Sequence, residues 1–274
     1  MARYSAPLLV GLGKDEYLVA SDPSAVITHT NKVVYLEDGE MAVLTPQGVS
    51  IQDSKQNNIE KQVSKIDWSV EDAQKGGYDH FMLKEIMEQP GSIANALRGR
   101  VLLEEGKARL GGLVSVAERL RSVDRFHIIG CGTAFYAGRI GEYMLEEYAG
   151  ISCEVDLASE FRYRKPILNK HTAALFISQS GETADTLAAV KEVKEKGGLT
   201  FGVVNVVGSS IARELEAGVY NHAGPEIGVA STKAFTTQLT ALALVMLLLA
   251  RRFGMAAEVE TDYVTQLMSV PRII

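Results

Sequence analysis

Cysteine, excess positive charge and long apolar runs are all scarce in this chain of 274 residues. Its two cysteines, Cys131 and Cys153, lack the spacing of a paired-thiol motif, so the sequence fits a reduced, cytoplasmic setting better than a disulfide-stabilised one. The formal net charge of −6 leaves no basic surplus for nucleic acid as the main partner. Lys14 and Asp15 interrupt the first apolar stretch, which argues against a signal peptide.

The most apolar stretch, "ALALVMLLLA" at 241–250, is too short to indicate a membrane span. It is closed by Arg251 and Arg252, and a span needs ~20 apolar residues. We therefore predict a helix over about 231–253 that is buried in a protein core.

The sequence shows no spacing typical of a metal or cofactor site, so we expect neither. No Cys/His pattern of a metal set is found. Cys131 stands in a glycine turn and has no identifiable base partner, which favours a packed thiol over a nucleophile. The five histidines are scattered along the chain: His29, His80, His127, His171 and His222.

Three regions follow one another along the chain. Residues 1–52 hold short β-branched runs between turn signals, including "KVVYL", "MAVLT" and "AVITHT" (25–30), which predict an all-β segment. Residues 53–78 are polar and aperiodic, as in a linker, with Trp68 expected to pack onto a neighbouring surface. From residue 79 onward the sequence predicts helices: one ended by Pro90-Gly91, a second over "SIANALRG" and a third over 103–121.

Strand and helix patterns alternate from about residue 125 to 253. Such alternation predicts an α/β domain with a doubly wound parallel sheet, here of about five strands. The five strand-like runs are "RFHIIG", "SCEVDLA", "HTAALFI", "LTFGVVNV" and "GVYNHAG".

Three polar turns precede helices of this domain: "GCGTAF" (130–135), "SQSGET" (178–183) and "GVASTK" (228–233). Each places backbone N–H groups and hydroxyls at the positive end of a helix, which suits an anion. None of them resembles a nucleotide P-loop, and "SQSGET" has neither the second glycine nor the lysine of that motif. The first turn begins as a dinucleotide fingerprint, but Phe135 stands where a small residue is needed.

Helix capping is the simpler explanation for any one of these hydroxyls, such as Ser180 or Thr133. Three such turns in one sheet carry more hydroxyls than capping uses. We therefore predict a sugar-phosphate site, in which Ser178, Ser180 and Thr183 donate hydroxyls to phosphate. The N–H groups of Gly181 and Glu182 are expected to point at the same oxygens, with the Glu182 side chain turned outward.

Four long segments carry a family resemblance: "GCGTAFYAG", "ASEFRYRKP", "SQSGETADTL" and "GPEIGVASTKAFTTQLTAL". They resemble the first sugar isomerase (SIS) domain of the isomerising glutamine–fructose-6-phosphate aminotransferases, and the resemblance runs from about residue 6 to the end. It implies that residues 1–52 are a β-rich remnant of a glutaminase domain, that 53–78 are a linker, and that 79–274 are a SIS domain with its helical lead-in.

The resemblance also implies the family's reaction, in which fructose 6-phosphate and glutamine give glucosamine 6-phosphate and glutamate. One family contact has no counterpart here, because Ala134 stands where the family usually has a serine that also touches the ligand. The contacts with the phosphosugar that carry over to this chain are Thr133, Ser178, Gln179, Ser180 and Thr183, with Val229 and Ser231 near the sugar.

Other family features are missing, so the chain alone is expected to lack full catalysis. Ala2 stands where the family has its glutaminase nucleophile, and the segments with the Schiff-base lysine and the proton-transfer residues are not found. The expected partners are a phosphosugar and either a second SIS domain or a second copy covering the long apolar helix, with no nucleic acid and no membrane. A non-catalytic SIS regulator and another SIS phosphosugar isomerase remain alternatives.

Overall fold

The computed structural model describes residues 1–4, 6–66 and 74–274. The chain divides into two compact units, Met1–Phe81 and Met82–Ile274. Trp68, which was expected to pack the linker onto a neighbouring surface, lies outside the described residues.

The first unit is built from β-structure. A four-stranded antiparallel sheet has the order β2-β1-β3-β6, and a separate hairpin pairs β4 with β5. Alternating residues of β1 bury both faces of the sheet, because Leu9 and Val10 enter different apolar clusters. The strands are β1 (Leu9–Leu12), β2 (Tyr17–Ala20), β3 (Lys32–Tyr35), β4 (Met41–Thr45), β5 (Gly48–Gln52) and β6 (Ser64–Lys65).

Two sequence-based expectations differ from this unit. Residues 25–30 form no strand, because Pro23 begins a 3-10 turn (Pro23–Ala25) and its carbonyl accepts the N–H groups of Val26 and Ile27, both at 3.1 Å. Within the predicted linker 53–78, β6 pairs with β3. A two-residue strand is too short to show a periodicity in sequence.

The second unit begins with short elements. Pro90 does not end a helix as predicted but stands in the first turn of α2, where its missing N–H is not needed. The predicted helix over 103–121 is broken by Gly106, which has φ +61°, and is replaced by a hairpin and 3-10 segments (Leu103–Glu105 and Gly111–Val116). The elements are α1 (Phe81–Met87), α2 (Gln89–Leu97), β7 (Val101–Leu102), β8 (Lys107–Ala108) and α3 (Ala117–Arg121).

A five-stranded parallel sheet forms the centre of the second unit, which confirms the predicted fold class. Its order is β10-β9-β11-β12-β13. Helices follow the strands and return the chain to the end of the sheet where the next strand begins, as parallel pairing requires. The strands are β9 (Arg125–Gly130), β10 (Cys153–Leu157), β11 (Thr172–Ser178), β12 (Leu199–Val204) and β13 (Ala217–Tyr220).

Helices cover both faces of this sheet. In β11, Leu175 joins an apolar cluster with α4 and α8, whereas its neighbour Phe176 joins one with α5, α6 and α7. A π-helical turn, Leu145–Ala149, continues α4. The helices are α4 (Thr133–Met144), α5 (Ala158–Phe161), α6 (Ala184–Glu195), α7 (Ser210–Glu214), α8 (Lys233–Arg252) and α9 (Ala257–Ile273), of which α9 was not predicted.

Among the described residues, α8 alone is long and apolar enough to cross a membrane by length and composition, with a mean hydropathy of 1.6. Within the fold, 83% of that apolar window is buried, as the sequence predicted for a core helix. The expectation that α8 needs a partner surface is wrong, because α2, α4 and the π-helical turn of the same unit pack against it.

Candidate functional site

The predicted phosphate loop follows β11 and is closed by its own serine side chains. Ser178, the last residue of β11, is buried, and its Oγ accepts a hydrogen bond from the N–H of Gly181 at 3.0 Å and lies 3.5 Å from Thr183 Oγ1. Ser180 Oγ accepts the N–H of Glu182 at 3.1 Å. Gly181 has φ +68°, and a Cβ there would lie 1.9 Å from Ser209 Oγ, so only glycine fits this turn.

These bonds correct two details of the predicted site. The N–H groups of Gly181 and Glu182 donate to serine hydroxyls of the loop rather than standing free for a ligand. The Glu182 side chain does not turn outward, because its Oε1 accepts the N–H of Ser210, at the start of α7, at 2.8 Å. A carboxylate is stabilised by the positive end of a helix, and here that helix is α7 instead of the one that follows Glu182.

The first backbone N–H groups of α6 are not capped by the side chain that precedes them. Thr183 is the N-cap residue of α6, and its side chain makes no capping hydrogen bond. The first N–H groups of a helix have no partner within the helix. These groups therefore stand beside the hydroxyls of Ser178, Ser180 and Thr183 and can bind an anion.

The first polar turn lies next to this loop. Gly130 at the end of β9 pairs with Ile177 of β11. The turn that leads to Thr133 therefore starts at the carboxyl ends of the strands, as the 178–183 loop does. Thr186 Oγ1, in the first turn of α6, contacts Cys131 Sγ at 3.9 Å. Thr133 begins α4 and is exposed.

The third polar turn differs from the prediction, because the chain's own carboxylate occupies it. Glu226 Oε1 accepts the N–H groups of Thr232 at 2.9 Å and Ala234 at 3.0 Å, and Glu226 Oε2 accepts the hydroxyl of Ser231 at 2.8 Å. The start of α8 thus already holds an anion, which excludes it as a second phosphate site. Val229, at the tip of this turn, is fully exposed.

Asn205, which sequence reasoning missed, connects the two parts of the site. It follows β12, is 5% exposed, and its N–H donates to the carbonyl of Ser178 at 3.3 Å. Its side chain accepts the N–H of Ala223 at 2.8 Å and donates to the carbonyl of Gly224 at 2.7 Å. Asn205 therefore ties the phosphate loop to the segment that carries Val229 and Ser231. The available sequence signal was an amide directly after a buried apolar strand.

A cluster with metal-ligand residue types lies elsewhere, on β9 and β10. His127 Nδ1 is 3.2 Å from Asp156 Oδ2 and 3.9 Å from Glu154 Oε2. Sequence spacing does not reveal it, because the residues meet only through parallel pairing of the two strands. The guanidinium of Arg164 contacts Asp156 Oδ2 at 2.7 Å and supplies positive charge to both carboxylates. The cluster is an ion-pair network at the sheet edge.

Comparison with known proteins identifies the second unit. Residues 119–248 match the SIS domain family. The chain is 49% identical over 99% of its length to "glutamine–fructose-6-phosphate aminotransferase [isomerizing]" of Chlorobaculum tepidum, and 46% identical over 100% to that of Thermus thermophilus. It spans only 44% and 45% of the length of these relatives.

Solved structures agree with this assignment. The C-terminal domain of glucosamine–fructose-6-phosphate aminotransferase from Francisella tularensis matches 73% of the chain, and the match covers 56% of that domain, with a TM-score of 0.69 and 37% identity. A glucosamine-6-phosphate deaminase from Thermotoga maritima shares the fold at a TM-score of 0.54 and 21% identity, with 70% of this chain and 54% of that chain covered. Residues 119–248 therefore match the SIS domain family, and the whole chain is similar to part of the isomerising glutamine–fructose-6-phosphate aminotransferases.

Proposed function

We propose that this chain is the phosphosugar-binding part of an enzyme that converts fructose 6-phosphate and glutamine to glucosamine 6-phosphate and glutamate. The observation that carries the proposal is the hydroxyl-lined loop 178–183 at the carboxyl end of β11, beside the uncapped start of α6. Ligands of open parallel sheets bind at the carboxyl ends of the strands. The names of the relatives supply the substrate.

The hydroxyls can serve the loop and the ligand at once. A hydroxyl has one hydrogen to donate and two lone pairs to accept. Ser178 and Ser180 use a lone pair for a backbone N–H of the loop, which leaves the hydrogen of each for a phosphate oxygen. Thr183 and Thr133 add a hydroxyl each from the starts of α6 and α4.

The remaining predicted contacts belong to the sugar. Gln179, partly exposed in the same loop, can donate to and accept from sugar hydroxyls. Val229 and Ser231 approach the sugar from the segment after β13. The proposal gives this chain the binding and orientation of the phosphosugar and assigns no residue of it a catalytic role.

We also propose a second SIS domain or a second copy of the chain as partner, in the cytoplasm. The exposed apolar side chains of α1 support a partner: Met82, Leu83, Ile86 and Met87 are each 39–58% exposed. Light scattering of the purified chain at micromolar concentration should show self-association. A clean monomer would contradict it.

Calorimetry with glucosamine 6-phosphate tests the phosphate assignment. Hydrogen bonds to charged groups contribute about 1.5–3 kcal/mol each, so Thr183→Val and Ser180→Ala should each weaken binding about tenfold or more. Unphosphorylated glucosamine should bind little.

The matched control is Thr265→Val, which removes an exposed hydroxyl on α9 that bonds only to its own helix. This variant should bind like the unmodified chain. Equal affinity for glucosamine with and without its phosphate would refute the assignment and leave the serines as structural residues of the turn.

A further inference from the structure

The loop that follows β13, residues 221–232, presents an exposed tip on a buried base. Val229 is fully exposed and Ala230 is exposed, whereas Asn221 and Ala223 are buried. A fully exposed valine gains little stabilisation from apolar burial. The position of the tip therefore depends on what holds the base of the loop.

A buried carboxylate on α1 holds the middle of this loop. Glu85 is 2% exposed, and its Oε1 accepts the N–H groups of Ile227 at 2.6 Å and Gly228 at 3.0 Å. A Cβ at residue 228 would lie 2.5 Å from Glu85 Oε2, so the absence of a side chain there lets the carboxylate approach the backbone. The tip residue Val229 follows directly.

A second set of charges, two buried lysines and the partly exposed Glu88, fixes α1 relative to the end of the loop. Lys233, the first residue of α8, is 4% exposed, and its Nζ lies 2.7 Å from Glu88 Oε2. Glu88 Oε1 lies 3.5 Å from the Nζ of Lys84, which is 8% exposed. Since Glu88 lies only three residues after Glu85, both ends of the tip are tied to one short segment of the chain.

Burial of the Glu85 carboxylate lowers the free energy of unfolding, so stability does not explain its presence. A buried carboxylate loses its hydration, and that loss is recovered only if both oxygens are well paired. Glu85 Oε2 is buried and has no hydrogen-bond partner among the described residues. The Oε1 atom accepts hydrogen bonds from two N–H groups of the loop, and water could satisfy the same two groups if the loop were exposed. What Glu85 contributes is a fixed place for the loop.

We propose that Glu85 is a positioning residue that holds the 229–231 tip over the sugar end of the phosphosugar and thereby gives the site its preference for a phosphosugar over inorganic phosphate. The inference rests on the proposed function. Phosphate is held by the 178–183 loop, whereas Glu85 bonds to residues 227 and 228. Loss of the Glu85 carboxylate should therefore affect the sugar contacts and not the phosphate contacts. Asn205 keeps the bases of the two loops in register.

The test compares two probes, glucosamine 6-phosphate and inorganic phosphate, titrated into the ¹⁵N-labelled chain and followed by amide NMR. Glu85→Ala should weaken glucosamine 6-phosphate about tenfold and change the affinity for inorganic phosphate less than twofold. Glu85→Gln keeps an oxygen that accepts both N–H groups and should restore most of the affinity for the sugar phosphate. Glu104→Ala removes an exposed glutamate far from the loop in sequence and should change neither affinity.

If Glu85→Ala fails to fold by circular dichroism, Gly228→Ala replaces it, because its Cβ displaces the tip from Glu85 without removing a charge. The same selective loss is expected. An equal loss of affinity for both probes, or no loss for either, overturns the positioning role. If the unmodified chain binds neither probe, the proposed function itself fails, and the inference fails with it.

Discussion

The fold gives the two cysteine thiols different environments. Cys153, at the start of β10, is 6% exposed, and burial followed by the negative charges of Glu142 and Glu146 raises the pKa of its thiol to about 12. At pH 8 its thiolate is therefore about a thousandfold scarcer than that of a thiol with a pKa of 9.0. Cys131, in the turn before α4, is partly exposed. We expect one thiol per native chain to react with Ellman's reagent at pH 8.

Single substitutions assign that thiol. Cys131→Ser should abolish the fast reaction, and Cys153→Ser should leave it unchanged. In guanidinium chloride both thiols should react, which controls for the reagent. Two fast-reacting thiols in a chain with native circular dichroism would contradict the burial of Cys153.

Individual side chains show where sequence reasoning ends. The hydroxyls of Ser178, Ser180 and Thr183 were placed in one loop because they are close in sequence and precede a helix. The partners of Glu182 and Glu85 were not predictable in this way. Glu85 bonds Gly228 across 143 positions of the chain, and only the folded sheet brings them together.

At the scale of elements, the parallel strands were the most predictable part. A strand buried on both faces reads as a continuous apolar run, and all seven residues of β11 are buried. The run at 25–30 has the same β-branched composition, but Pro23 before it starts a helical turn. Composition therefore identifies strands reliably only where no proline sets the backbone first.

The starts of the helices were less predictable than the strands. The three polar turns predicted to attract an anion precede α4, α6 and α8, and the start of α8 holds the internal carboxylate of Glu226 instead. Glu182, from the turn before α6, accepts an N–H at the start of α7, which was not among the three. At the start of α6, the N-cap residue Thr183 makes no side-chain capping hydrogen bond. A sequence shows which helix ends are polar, whereas the choice between internal capping and ligand binding depends on side chains brought in from elsewhere.

At the scale of the whole molecule, the candidate site lies within the second unit. Every hydrogen bond described around it joins residues between Glu85 and Ala234. That unit has its own apolar clusters on both faces of the parallel sheet. We infer that residues 79–274, the region predicted from sequence as the SIS domain, contain all that phosphosugar binding requires.

Expression of residues 79–274 alone tests this division. The shortened chain should show a cooperative thermal transition and bind glucosamine 6-phosphate within about twofold of the affinity of the whole chain, a difference of ~0.4 kcal/mol. Thr183→Val in the shortened chain should weaken binding by the same factor as in the whole chain, because energetic effects of separate sites add. If the shortened chain folds but binds more than tenfold less tightly, residues 1–78 contribute to the site. The division into a binding unit and an independent β unit would then be wrong.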